Sequence, residues 1–321
     1  MQADKTKRWV IVLAGGEGDR MRPFTEARYG HHRPKQYCAF TSGKSMIEHT
    51  FDRALDSAAP ERVVTILGHG HARYLRAPRR IDIPGQIIEQ PENMDTGPGV
   101  FLPLAKVLSQ DPDALVAIFP SDHFIYPRHR FQAVVEDAFR LVRSHPTQII
   151  LLAATPDRPE SDYGWICAGP TFHEGGARLV TRFQEKPGML AAERLYRGGS
   201  LWNTMIVVAK AAALWDLAWE VQPEMIACLE ELKGRMNRAG EPEAIAQAYR
   251  GLRPVNFSRD FLEKVSHRTV ALPMRDVNWC DWGRPERVMK TLEYLGYGGD
   301  SHPSKPARPG PMLAVPGTAL A

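Results

Sequence analysis

The sequence predicts an α/β protein: a mostly parallel, mixed sheet flanked by helices. Three observations lead there. Short apolar runs recur at residues 9–14, 63–67, 87–88, 115–119 and 149–154, each bounded by turn residues and separated by stretches of helical period. The runs 10–13 and 115–119 are apolar without alternation, as strands covered on both faces are. The 321 residues are 43% hydrophobic and 24% charged, which supplies a sizeable core and excludes wholesale disorder.

Each element can be justified in turn. The first strand runs into Leu13-Ala14-Gly15-Gly16-Glu17-Gly18-Asp19-Arg20, a glycine-rich turn closed by an arginine. Ser45-x-x-Glu48 makes a capping box, and Ile47, Phe51, Ala54, Leu55 and Ala58 then share one helical face. Strand-like 115–120 ends in Ser121-Asp122-His123, and Trp279-Cys280-Asp281-Trp282-Gly283 precedes a helix opened by Pro285. From about 189 to 265 the pattern is amphipathic helix, including 223–238 and 242–249, with only 202–209 reading as strand. This reads as a helical insertion within one domain, residues 1–299. Residues 300–321 are Pro/Gly/Ala-rich without a period, so a disordered tail is expected. No internal repeat is visible.

Charge and cysteine content narrow the function. Forty-one Lys and Arg against 37 Asp and Glu give +4, too faint a bias for a nucleic-acid footprint but compatible with small anionic substrates. Four scattered cysteines without a CxxC pair read as free thiols in a reducing cytoplasm and suggest no structural zinc. The N-terminus lacks an h-region, and the apolar stretch 201–219 is broken by Asn203, Lys210 and Asp216, so neither a secretory leader nor a membrane span is expected. Homo-oligomerisation is left open.

Glycines at 15, 16 and 18 let backbone N–H groups approach phosphate oxygens, and Arg20 adds a charged fork. The turn is neither the dinucleotide fingerprint, because Met21 stands where the third glycine belongs, nor a P-loop. Gly43-Lys44-Ser45 has Cys38 where the P-loop needs glycine, and reads as a turn capping the next helix. Pro34 makes Arg33-Pro34-Lys35-Gln36 extended, so Lys35 can point back at the glycine turn. A carboxylate at the end of a buried strand, as Asp122 is, is costly unless a cation or donors compensate. Mg2+ is one such compensation, and Asp281 is a second carboxylate of the same kind. Sequence spacing alone does not bring the two together. His69-Gly70-His71 and the arginines at 73, 76, 79 and 80 read as a solvated face or loop.

Taken in order, the glycine turn with Arg20, Arg33-Pro34-Lys35-Gln36, Pro120-Ser121-Asp122-His123, Tyr163-Gly164, Phe183-x-Glu185-Lys186-Pro187, Trp202-Asn203 and Trp279-x-Asp281-x-Gly283 form a series. The series resembles the sugar-1-phosphate nucleotidylyltransferases over roughly residues 9 to 296. Gln90-Pro91-Glu92-Asn93-Met94-Asp95-Thr96-Gly97-Pro98 and Arg158-Pro159-Glu160-x-x-Tyr163-Gly164-Trp165 make the mannose-1-phosphate guanylyltransferases the most similar branch.

The resemblance implies a GT-A-like, Rossmann-related fold and a set of roles. Leu13, Ala14, Gly15, Gly16, Gly18 and Arg20 would hold the nucleotide phosphates, with Lys35 bridging them. Gln90 and Gly97 would lie against the base, Thr96 would belong to the nucleotide site, and Asp122 and Asp281 would ligate Mg2+. Tyr163, Gly164, Glu185, Lys186 and Asn203 would hold the sugar phosphate. The implied reaction joins a sugar-1-phosphate, most simply mannose-1-phosphate, to a nucleoside triphosphate, most simply GTP. The sugar phosphate is already an anion, so it needs no general base; Arg20, Lys35, Asp122 with its metal, and Lys186 would screen repulsion and hold an in-line geometry.

Four positions depart from the family's pattern. Asp19 stands for the usual threonine, Met205 for the glycine of Asn-Ser-Gly, Ser258 for an aspartate, and Arg284-Pro285 for Ser/Thr-Trp. They keep two alternatives in view: the same chemistry on another nucleotide and sugar pair, or a catalytically silent, sugar-nucleotide-binding regulatory protein. A P-loop kinase is disfavoured by Cys38. No hexapeptide-repeat or cupin-like segment follows Gly296, so a second activity is not expected.

Overall fold

The computed structural model describes residues 6–41, 43–76 and 80–296, so the expected tail at 300–321 and Arg79 lie outside the described residues. In chain order the elements are β1 (Arg8–Ala14), α1 (Arg22–Tyr29), α2 (Met46–Ser57), β2 (Val63–Leu67), β3 (Gln86–Glu89), α3 (Thr96–Gln110), β4 (Leu115–Pro120), β5 (Phe124–Tyr126), α4 (Arg128–Ser144) and β6 (Ile149–Ala154). They continue as β7 (Trp165–His173), β8 (Ala177–Gln184), α5 (Met189–Arg197), β9 (Leu201–Lys210), α6 (Ala211–Val221), α7 (Pro223–Lys233) and α8 (Glu241–Tyr249). A π-helical turn, Phe257–Leu262, leads to β10 (Thr269–Pro273), β11 (Asn278–Cys280) and α9 (Pro285–Tyr294).

Nine strands form one sheet in the order β3-β2-β1-β4-β9-β6-β10-β8-β7. β1 pairs in parallel with β2 and β4, β2 with β3, and β6 with β10, while β9 and β8 run opposite to their neighbours. The expected mixed, mostly parallel sheet is therefore present. Along β1, Trp9 and Ile11 enter the core beneath α3, α6, α7 and α8, and Val10, Val12 and Ala14 enter the one beneath α2 and α4. That two-sided burial is why the strand reads as an unbroken apolar run. Burying each of Val10, Ile11 and Val12 contributes about 1.5–3 kcal/mol.

Two expectations change. The run at 202–209 is no accessory strand of an insertion: β9 lies between β4 and β6 in the middle of the sheet, and the helices around it cover one face of that sheet. Its polar Asn203 and Thr204 disguise a central strand, because both are buried and hydrogen-bonded. In α2 the capping box forms, with Glu48 accepting from the Ser45 N–H at 2.7 Å, and Ile47, Phe51 and Ala54 are buried. Leu55 instead faces solvent at 41% exposure. No helix among the described residues is long and apolar enough to cross a membrane.

Candidate active site at the carboxyl ends of the strands

β1, β4 and β6 point the same way, and loops leaving their carboxyl ends build the site, as open α/β sheets favour. A cavity of about 290 Å3 opens there, lined by Leu13, Gly15, Gly16, Gln90, Thr96, Asp122 and Met205 among others. The glycine turn forms its roof. The Ala14 and Gly16 carbonyls accept from the Gln36 carboxamide at 3.2 and 2.7 Å, and the Glu17 carbonyl faces the His32 ring at 3.0 Å. With the carbonyls tied inward, the N–H groups of Gly16, Glu17 and Gly18 have no intramolecular acceptor among the described residues. Such a run of free amides favours an anion. Gly18 is left-handed at φ 70 and sits against the Lys35 backbone, where an added Cβ would be 3.2 Å from its nitrogen.

A short antiparallel pairing does what sequence spacing could not. β11 pairs with β5 so that Cys280 lies opposite Phe124, which sets Asp281 beside His123 and next to Asp122. Lys35, 5% exposed, joins the two: its Nζ is 3.0 Å from Asp122 Oδ2 and donates to the Asp281 carbonyl. Burial raises the cost of charging Asp122, but Lys35 overrides it and holds the carboxyl below its usual range. Burial pushes His123 down, favouring the neutral ring.

Asp281 is fixed by three donors on one oxygen: the Tyr163 hydroxyl at 2.7 Å, the Gly283 N–H at 3.0 Å and Arg287 at 2.8 Å. Here too burial is outweighed, by Lys35 and then Arg287, and the carboxyl titrates well below the ordinary range. Arg287 also bonds Glu160 and Asp162 at 2.8 and 2.9 Å. Arg20 stands 3.9 Å from both Asp162 and Asp281 and is otherwise exposed. Asp19, one of the four departures, pairs with Arg22 at 2.7 Å, while Arg284 pairs with Asp162 at 2.7 Å.

Glu185, Gly164, Asn203, Ser258 and Met205 cluster at the other end. A Cβ on Gly164 would lie 2.6 Å from Glu185 and 3.2 Å from Asn203, so only glycine allows this approach. Asn203 donates to Ser258 at 3.3 Å and accepts from the Met205 N–H at 3.1 Å. Burial raises the Glu185 carboxyl against the pull of Lys186, whose exposed ammonium is 3.6 Å away. Met205 holds φ 58, which its side chain makes costly, and reaches into the cavity.

Several placements differ from the reading of the residues. Gly97 does not line the cavity; its N–H donates to the Val255 carbonyl at 2.7 Å, where a Cβ would collide. Tyr163 acts on Asp281. His71 is no solvated loop residue: it is 1% exposed, packed on Tyr37 and Tyr74 and 3.3 Å from Glu17. Arg287, Asp162 and Tyr249 were not singled out from sequence. The one signal for Arg287 is its place in the first turn of a helix that opens just after Asp281.

A free-amide turn over a buried lysine, itself set between two aspartates at the carboxyl ends of a mostly parallel sheet, defines an α/β protein of the nucleotidyltransferase class. The nucleotidyl transferase family matches residues 9–295, and the chain belongs to it. It is 26% identical over 297 residues to the xanthan biosynthesis protein XanB of Xanthomonas campestris pv. campestris, covering 91% of this chain and 61% of that one. It is 25% identical over 290 residues to the mannose-1-phosphate guanylyltransferase ManC of Salmonella typhimurium, covering 87% and 58%. The chain thus spans about three fifths of the length of these relatives. A crystal structure described as mannose-1-phosphate geranyltransferase from Thermus thermophilus superposes with a TM-score of 0.71 at 25% identity, covering 92% of this chain and 81% of that one.

Proposed function

We propose that the protein joins a sugar-1-phosphate to a nucleoside triphosphate, releasing pyrophosphate, and that the pair is mannose-1-phosphate and GTP. The observation that carries the reading is the Lys35 ammonium between Asp122 and Asp281 at the mouth of the glycine turn. The named activity of relatives such as ManC supports the choice of substrates.

The donor set suits Mg2+. Asp122 Oδ1 and Asp281 Oδ2 are the oxygens without a short hydrogen bond, meeting only His123 at 3.6 Å and Arg20 at 3.9 Å. No cluster of three or more metal-binding side chains occurs among the described residues. Two carboxylates completed by water and substrate phosphates are what this cation commonly takes. Bound there, it would supply charge neutralisation at the reacting phosphates. The chain's own residues do the rest: the turn amides grip the triphosphate, and Lys35 and Arg20 screen it. Lys186 holds the incoming phosphate, while Glu185 and Asn203 orient the sugar. The attacking oxygen is anionic, so no side chain has to remove a proton.

Pyrophosphate release with Mg2+, measured across GTP, ATP, UTP, CTP and dTTP against mannose-, glucose- and N-acetylglucosamine-1-phosphate, tests this. Turnover with GTP and mannose-1-phosphate alone is expected. Another productive pair would move the specificity, and no turnover alongside sugar-nucleotide binding would replace the enzyme with a regulatory binding protein.

A further inference from the structure

His123 is a titratable group at the wall of the cavity to which the phosphate chemistry above gives no task. Trp279 of β11 donates its indole N–H to the His123 Nδ1 at 3.2 Å, and the two rings meet edge to face, 5.3 Å apart at 87°. An indole N–H is a donor only. The Nδ1 that receives it therefore presents a lone pair, which neither an imidazolium nor the other neutral tautomer has at that atom. The ring hydrogen sits on Nε2.

Trp279 is itself held in place. The pairing of β11 with β5 sets it opposite Ile125, and its ring packs on Tyr163 at 5.2 Å and Trp202 at 6.4 Å. Tyr163 in turn donates to Asp281, so one aromatic group backs both aspartates. On the other side of the His123 ring, Nε2 stands 3.6 Å from Asp122 Oδ1. That is longer than a hydrogen bond, and Nε2 makes none among the described residues. A donor fixed in direction and left open to a cavity suits an oxygen that arrives with the substrates.

We infer that His123 serves as a fixed, uncharged hydrogen-bond donor to an oxygen of the reacting phosphates, and that Trp279 is the positioning residue that locks it in that form. The inference rests on the proposed phosphate site. The same bond excludes two other roles for the ring. Nε2 carries a hydrogen and has no lone pair for a metal or a proton, and the lone pair of Nδ1 is spent on the indole. A neutral donor also leaves Asp122 its charge. Lys35 already supplies one cation there at 3.0 Å, and an imidazolium would close a second ion pair on the same carboxylate.

Long-range proton–nitrogen NMR of the metal-free chain reads the tautomer directly, and His123→Gln identifies the His123 signals among the 11 histidines. The wild type should show a bare Nδ1 and a protonated Nε2. Trp279→Phe keeps a ring against Tyr163 but removes the N–H, so both tautomers should appear. In turnover, His123→Gln retains a donor near the Nε2 position and should keep kcat within roughly threefold of wild type. His123→Leu has no donor and should lose kcat about tenfold or more with little change in either KM, as for a hydrogen bond made in the transition state. A protonated Nδ1 in the wild type, an unchanged spectrum in Trp279→Phe, or a glutamine variant as slow as the leucine one would overturn the inference. The two His123 variants carry the test if Trp279→Phe does not fold. The expected spectra without pyrophosphate release by the wild type would instead count against the proposed reaction and uphold the locked donor.

Discussion

At the scale of single residues, Arg287 carries a large part of the site's electrostatics. Asp281 is ionised in the folded chain because Lys35 and Arg287 outweigh its burial. Its folded pKa lies below the unfolded value of about 3.9, so the stability it brings is complete above that pH and fades as pH falls through the folded pKa. Replacing Arg287 by Met removes one of the two cations that offset the burial of Asp281 and should lower stability at neutral pH by up to about 3–5 kcal/mol. The gap in melting temperature from wild type should narrow as pH falls, because without Arg287 the Asp281 carboxyl takes up a proton at a higher pH than in wild type; a gap constant with pH would refute the account. Glu185 behaves in the opposite sense, raised by burial. If its carboxylate receives sugar hydroxyls, kcat/KM for the sugar phosphate should drop as pH falls through that raised pKa, and Glu185→Gln should abolish the acid limb. Met205→Gly removes the side chain from the cavity at a backbone angle glycine tolerates. It should reorder the sugar phosphates more than the nucleotides, and an unaltered sugar ranking would mean that this departure is silent.

At the scale of elements, the three-residue pairing of β5 with β11 is decisive, because it joins two aspartates that lie 159 positions apart in sequence. Asp122→Asn disturbs neither strand, so the circular dichroism should persist; the melting temperature should fall because buried Lys35 loses its ion pair, and Mg2+-dependent turnover should fall roughly 100-fold or more. Near-normal turnover would remove Asp122 from the metal. Local signals were enough for α2, since a capping box and an apolar face lie within one stretch of chain. They gave β9 as a strand but not its place in the middle of the sheet, because its buried Asn203 and Thr204 are satisfied by residues far away in sequence, Ser258 and Leu152. The same holds for His71, which reads as loop because two of its partners, Glu17 and Tyr37, come from other segments and only Tyr74 is a neighbour in its own turn.

For the molecule as a whole, ligand binding should be visible as stability. A nucleotide at 100 times its dissociation constant adds about 2.7 kcal/mol to unfolding. GTP with Mg2+ should therefore raise the melting temperature more than GTP with a chelator, since the two aspartates repel an unaccompanied triphosphate. Equal shifts in both conditions would argue against a metal at Asp122 and Asp281. The helices from α6 to α8 belong to this global picture, for they cover one face of the sheet and deliver Tyr249 to Gln90.

The fold class, the glycine turn and the charged set were legible in the sequence, because periodicity, turn residues and strand-end carboxylates act over a few neighbouring positions. Tertiary structure alone decided three matters: that Lys35 lies between Asp122 and Asp281, that Arg287 clamps the second aspartate, and that Tyr249 turns Gln90 toward the cavity. The first and the last join segments far apart along the chain, and the second, across six residues, depends on how α9 leaves the loop after β11. Such contacts depend on strand order and register, which the pattern of a single strand or helix does not contain.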